Sequence, residues 1–97
     1  ELLLKKHFLV PSLVSPNAVI SPQAKIGAGT VVLAQGNVGA AEVGKFCIIT
    51  QNGLVNADAK LEDYSRVDNG GMVLKGVTVP ALGWIRPGEI FGEEMLA

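Results

Sequence analysis

Thirteen aliphatic residues recur at intervals of six along most of this chain. Val14, Ile20, Ile26, Val32 and Val38 form the first series, and after one step of five, Val43, Ile49, Val55, Leu61, Val67, Val73, Val79 and Ile85 form the second. Two positions before each stands a small residue: Ser12, Ala18, Ala24, Thr30, Gly36, Ala41, Cys47, Gly53, Ala59, Ser65, Gly71 and Gly83, with Val77 as the exception. Val, Ile and Leu make up 29 of the 97 residues, too few for thirteen hits in phase by chance. Six is a multiple of the strand period of two and not of the helical 3.6. A hexapeptide repeat is a signature of a parallel β-helix, in which short strands stack on the coils above and below. The strands of a sandwich recur every 8 to 12 residues and lack this fixed period.

The period predicts which side chains point inward. The aliphatic fills a dry core, and the small residue two places earlier faces the same way near a corner. With three hexads per triangular coil, residues 12–86 predict about four coils. Gly27, Gly29, Gly44, Gly53, Gly70, Gly71 and Gly83 are expected at corners, where positive φ is often needed. So short a solenoid leaves apolar ends and unpaired strand edges. Residues 1–11, with Leu2, Leu3, Leu4, Phe8, Leu9 and Val10, are expected to cap the first coil, and residues 87–97 to form a tail at the other end. Side-by-side association buries one more face, and a trimer closes it. Thr50–Asn56 and Asp68–Gly71 hold most of the polar amides and turn residues, and they are the expected functional or subunit-facing edge.

Composition narrows the function classes. Hydrophobic content of 48% with only 5% aromatic suits a narrow aliphatic core. The net charge of −1, with acids and bases mixed along the chain, offers nothing to a nucleic acid or an anionic membrane. No apolar run approaches a membrane span, and Glu-Leu-Leu-Leu-Lys-Lys is too short for a signal peptide. The single Cys47 occupies a small inward position and reads as a buried structural thiol, with which a reduced, cytoplasmic setting is expected. One histidine, His7, precludes a zinc site of three imidazoles, and no metal site is expected. Gly27-Ala28-Gly29 lacks the third glycine of a dinucleotide fingerprint. Thr30, Thr50 and Thr78 do not form the ladder of an ice-binding face. Gln51 and Asn52 are expected in amide ladders, and Trp84 against a neighbouring coil or the tail.

The phrase Val10-Pro11-Ser12, followed by Ser15-Pro16-Asn17-Ala18-Val19-Ile20-Ser21-Pro22-Gln23-Ala24-Lys25-Ile26-Gly27-Ala28-Gly29-Thr30, is similar to the opening of the left-handed β-helix acyltransferases. Among these it most resembles the sialic-acid and bacillosamine acetyltransferases. The stretch from Val43-Gly44-Lys45 through Asn52-Gly53-Leu54-Val55-Asn56-Ala57-Asp58 to Glu62-Asp63-Tyr64-Ser65-Arg66-Val67 resembles the middle of that family, and the match runs on through Gly76-Val77-Thr78-Val79. The resemblance covers about residues 8–86. It implies an all-β, left-handed helix, a trimer, and acetyl-CoA in a groove between protomers. It also implies acetyl transfer to a sugar hydroxyl or amine, with a histidine as general base held by a neighbouring acid. This chain departs at that step: Ala57 stands at the base position and Asn56 at the acid position, while Asp58 matches the acid that follows the base. No catalytic residue is therefore assigned. The family's N-terminal sugar-nucleotide domain and its last coil and tail have no counterpart in these residues. Asn69, Gly70, Gly71, Gly83 and Arg86 match positions that meet CoA in the family, and Lys75 and Arg86 would meet its phosphates. Tyr64 matches a family aromatic next to the active site. Two readings follow: an acetyltransferase-like protein, degenerate at its base, that uses acetyl-CoA if active; or a non-catalytic trimeric scaffold or binding module that needs none.

Overall fold

A computed structural model describes residues 12–92. The expectations for residues 1–11, and for the last five residues of the 87–97 tail, lie outside that range. Fourteen two-residue strands follow one another with a corner between each pair. Sheet I stacks β1 (Leu13–Val14), β4 (Val31–Val32), β7 (Ile48–Ile49), β10 (Arg66–Val67) and β13 (Trp84–Ile85). Sheet II stacks β2 (Val19–Ile20), β5 (Asn37–Val38), β8 (Leu54–Val55), β11 (Met72–Val73) and β14 (Ile90–Phe91). Sheet III stacks β3 (Lys25–Ile26), β6 (Glu42–Val43), β9 (Lys60–Leu61) and β12 (Thr78–Val79). All pairings are parallel, and the architecture is a left-handed parallel β-helix of about four coils. The ladder runs past residue 86, because β14 pairs with β11.

The second residue of each strand is the period aliphatic, and it points inward. Val32, Ile49, Val55, Val67, Val73 and Val79 are completely buried, and Leu61 and Ile85 nearly so. In the first coil Val14 is 43% exposed, and Ile20 and Ile26 are half-buried. Partners in register lie 18 residues apart, as Ile20 opposite Val38. Where the coil includes the step of five they lie 17 apart, as Val32 opposite Ile49. The step is taken at Gly39-Ala40-Ala41, where the Ala41 amide donates to the Gly39 carbonyl at 2.7 Å. That bond spans two residues instead of the three of an ordinary β-turn, such as Gly53 to Thr50 at 3.0 Å.

Corner chemistry differs from expectation in one respect. Of the seven glycines anticipated for positive φ, Gly29 and Gly70 have it, and the other five do not. Gln35, Phe46, Asn52, Asp58, Tyr64 and Leu82 adopt it instead, with φ between 55° and 64°. Each donates its amide to a corner carbonyl one coil earlier, as Phe46 to Ala28 and Tyr64 to Lys45, both at 2.9 Å. That bond offsets a conformation costing a non-glycine residue roughly 1–2 kcal/mol. Glycines such as Gly36, Gly53, Gly71 and Gly83 are needed for a different reason: a Cβ there would press on inward side chains and turn carbonyls.

The small inward residues at the corner between sheets III and I form a hydrogen-bonded column. Ser12 Oγ donates to the Gly27 carbonyl at 2.9 Å, and Thr30 Oγ1 to the Gly44 carbonyl at 2.6 Å. Cys47 Sγ lies 3.3 Å from both the Glu62 carbonyl and Ser65 Oγ. Cys47 is therefore a buried, free, structural thiol. Gln51 and Asn52 are exposed and build no amide ladder among the described residues.

Candidate functional site

The first residue of each strand points outward, so the three faces of the prism are read directly from the strands. Sheet I presents Leu13, Val31, Ile48, Arg66 and Trp84; sheet II presents Val19, Asn37, Leu54, Met72 and Ile90. Sheet III presents Lys25, Glu42, Lys60 and Thr78. Two outer faces are mainly apolar and the third is charged. Lys25 sits opposite Glu42, and Glu42 opposite Lys60, on successive rungs about 4.8 Å apart. Among the described residues the one ion pair within 4.0 Å is Arg66 with Asp68, so this ladder is close in register but unpaired.

A groove follows that charged face. Its larger hollow, about 540 Å³, lies between the Lys25–Glu42–Lys60 ladder and the corner holding Asp63 and Ala81. Gly27 and Gly44 form its floor, and neither has room for a side chain. Two carboxylates at its rim are committed to backbone: Asp63 Oδ1 accepts from the Lys45 amide at 2.8 Å, and Glu62 Oε1 from the Ala81 amide at 3.2 Å. A smaller hollow of about 330 Å³ adjoins it and shares Glu42 and Lys60. Ala40, Ala41, Asp58, Ala59 and Thr78 complete its lining. The second hollow arises where the corner at Gly39-Ala40-Ala41 is one residue short beneath the corner at 56–58. A Cβ on Gly39 would lie 3.1 Å from the Ala57 nitrogen, which shows how closely the two corners approach.

The position where the resemblance puts a general base is one residue before Asp58, which lines the smaller hollow, while Ala57 itself lines neither hollow. Ala57 is half-buried there and has no proton-accepting group. Asn56 is spent on structure, since its Nδ2 donates to the Val73 carbonyl at 2.8 Å. Asp58 stands exposed on the lip.

The anticipated cofactor residues lie elsewhere. Asn69, Gly70, Gly71 and Arg86 come together at the corner between sheets I and II; Gly83 is on the corner between III and I, next to Ala81. The amides of Gly70 and Gly71 are taken by Gln51 and Asp68 carbonyls at 3.1 and 2.7 Å. The Arg86 guanidinium carbon sits 5.2 Å from the centre of the Trp84 ring. Trp84 Nε1 donates to Asp68 Oδ2 at 2.9 Å, and Arg66 pairs with the same carboxylate at 3.2 Å. The Trp84 hydrogen bond foremost, with help from Arg66, holds the Asp68 carboxyl below its ordinary range, against the opposing pull of desolvation. Trp84 itself is 53% exposed, and this hydrogen bond ties it to the neighbouring coil. Tyr64 stacks on Phe46, with ring centres 5.5 Å apart, along an exposed edge that continues to Leu82.

The groove on sheet III was not anticipated. Its signal was present in the outward position of every third hexad, where Lys25, Glu42 and Lys60 recur. Groups of three or more side chains able to hold a metal are absent among the described residues. Nor do those residues include a helix long and apolar enough to cross a membrane.

No protein-family model matches the chain. No curated protein matches it either. Among solved structures it is similar to the acetyltransferase domain of PglB from Neisseria gonorrhoeae FA1090 in complex with acetyl coenzyme A, at 24% identity and a TM-score of 0.43, over 92% of this chain and 56% of that one. A second structure of that domain matches at 23% identity and a TM-score of 0.37, over 91% and 52%. The chain thus spans about half the length of the solved domains it matches.

Proposed function

We propose that the chain is the β-helix of a homotrimeric, cytoplasmic, acetyltransferase-like protein that binds acetyl-CoA and lacks the usual histidine base. The observation that carries this reading is the groove on sheet III, which begins at the corner of residues 56–58 and holds two ammonium groups that have no ion-pair partner among the described residues. Lys25 and Lys60 suit the phosphates of a CoA thioester, and the notch lined by Ala40 and Ala41 suits a small acyl group. The apolar faces of sheets I and II suit contact between copies, which leaves sheet III facing solvent. Arg86, with Asn69, Gly70, Gly71 and Gly83, is the alternative place for the cofactor's phosphates.

Calorimetric titration of acetyl-CoA, with sedimentation equilibrium in the same buffer, tests the reading. Micromolar affinity, about −8 kcal/mol, from a trimer supports it. Loss of affinity in K60A but not R86A places the phosphates on sheet III, and the reverse places them at the other corner. A folded trimer that takes up no acetyl-CoA at millimolar concentration sinks the reading. It would leave the second one, a non-catalytic scaffold or binding module, which the methyl group at Ala57 favours.

A further inference from the structure

The notch beside Ala57 lacks a histidine but does not lack a proton acceptor. Glu42 is the first residue after the short corner, and its side chain lines both hollows. The other carboxylates of the larger hollow are committed: Asp63 to the Lys45 amide and Glu62 to the Ala81 amide. Asp58 reaches only the smaller hollow, from the lip of the corner. Glu42 accepts no hydrogen bond among the described residues, and it is held between Lys25 and Lys60 on the adjacent rungs.

We infer that Glu42 is the group that takes the proton from the acceptor, in place of the missing base, and that the acceptor is an amine. This role rests on the acetyltransferase reading. A carboxylate is a weaker base than an imidazole, and it helps an alcohol only by taking its proton as the new C–O bond forms. A neutral amine needs no such help. It attacks the thioester carbonyl through its own lone pair, and the nitrogen of the tetrahedral adduct becomes acidic. The Glu42 carboxylate takes that proton, the C–S bond breaks, and the departing CoA thiolate recovers the proton from the carboxyl group. One amine and one thioester give one amide and one free thiol, with no oxidant or further reactant. Lys60, on the next rung, offers its charge to the adduct's oxygen.

The experiment uses the purified chain with acetyl-CoA, glucosamine as the amine and glucose as the matched alcohol, following thiol release. Acetyl-CoA affinity is measured separately by calorimetry. The expected result is release with glucosamine and not with glucose. E42Q should bind acetyl-CoA within about twofold of the parent and release thiol about 100-fold more slowly. E42D should recover part of the loss, and imidazole in solution should restore E42Q by entering the notch. Full activity of E42Q, or turnover with glucose as fast as with glucosamine, overturns the role. Failure of the parent chain to bind acetyl-CoA refutes the acetyltransferase reading, and Glu42's role falls with it; binding without turnover on glucosamine refutes Glu42's role alone.

Discussion

Replacing Gly27 by alanine tests whether the floor of the groove is set by backbone contact. Gly27 has no positive φ, so alanine is acceptable to its local conformation, and the penalty comes from its neighbours. The new Cβ would lie 2.5 Å from the carbonyl carbon and oxygen of Gly44 and 2.8 Å from the Lys45 nitrogen. Neither side can move freely. The Gly27 amide is tied to the Val43 carbonyl at 2.8 Å, and the Gly44 carbonyl accepts Thr30 Oγ1 at 2.6 Å. Overpacking costs typically 1–3 kcal/mol, and a disturbed buried hydrogen bond adds about 1. The sum is about 3 kcal/mol, or roughly 12–24 °C in Tm for a domain of this size. Gly76 is the contrast. Its φ is +74° and a Cβ there meets nothing within 4 Å, so alanine should cost only the conformational penalty of about 1–2 kcal/mol. Asparagine tolerates that backbone, so G76N should recover most of the loss while G27N should be worse than G27A. Thermal and urea unfolding followed by circular dichroism at one fixed protein concentration gives both comparisons. The reasoning fails if G27A is milder than G76A, or if asparagine rescues position 27.

Thr30→Val removes a hydroxyl that donates to the Gly44 carbonyl and accepts from the Cys47 amide at 3.1 Å. Two buried polar groups lose a partner, so a loss of about 2–4 kcal/mol is expected in urea unfolding; C47S, which keeps a donor, should stay within about 1. Ala57→His puts an imidazole beside the notch. If acetyl-CoA binds there, thiol release should rise about 100-fold and acquire a histidine limb in its pH profile; a flat profile with unchanged rate would show that the corner does not face the acyl group. Asp68 tests the electrostatics. Its folded carboxyl sits below its unfolded value, so its contribution is fully present above about pH 4 and disappears as pH falls through the lower folded value. Trp84→Phe removes the main cause, so the acid decline of Tm should shrink in the variant; an identical decline in both proteins would refute the assignment.

Much of the fold was legible because the helix core is a local code. Each inward aliphatic is two residues from its small partner and six from the next, so alternation alone orients it. The step between Val38 and Val43 was visible too, as the one break in the period. Its consequence was not, because a shortened corner makes a notch only when the corner of the next coil lies above it. The glycines show a similar limit. Sequence marks Gly27 and Gly44 as corner residues, but whether a glycine is needed for φ or for space depends on which backbone lies one coil away. Phe46, Tyr64 and Leu82 take the positive φ expected of glycine because amide ladders between coils hold them there.

The candidate site divides along the same line. The resemblance that sets Ala57 and Asn56 against a family base and acid was read from the chain alone, as was the single histidine, His7. The sequence by itself thus determined the repeat, the inward core and the strand class, since all of these rest on spacings of six residues or fewer. Only the tertiary structure decided that Lys25, Glu42 and Lys60 share one face, that Glu62 and Asp63 are spent on backbone amides, and that Asn69–Gly71 and Arg86 stand apart from the groove. Those facts depend on residues 17 to 19 apart becoming neighbours on successive rungs about 4.8 Å apart, and stacking, not local preference, creates that proximity.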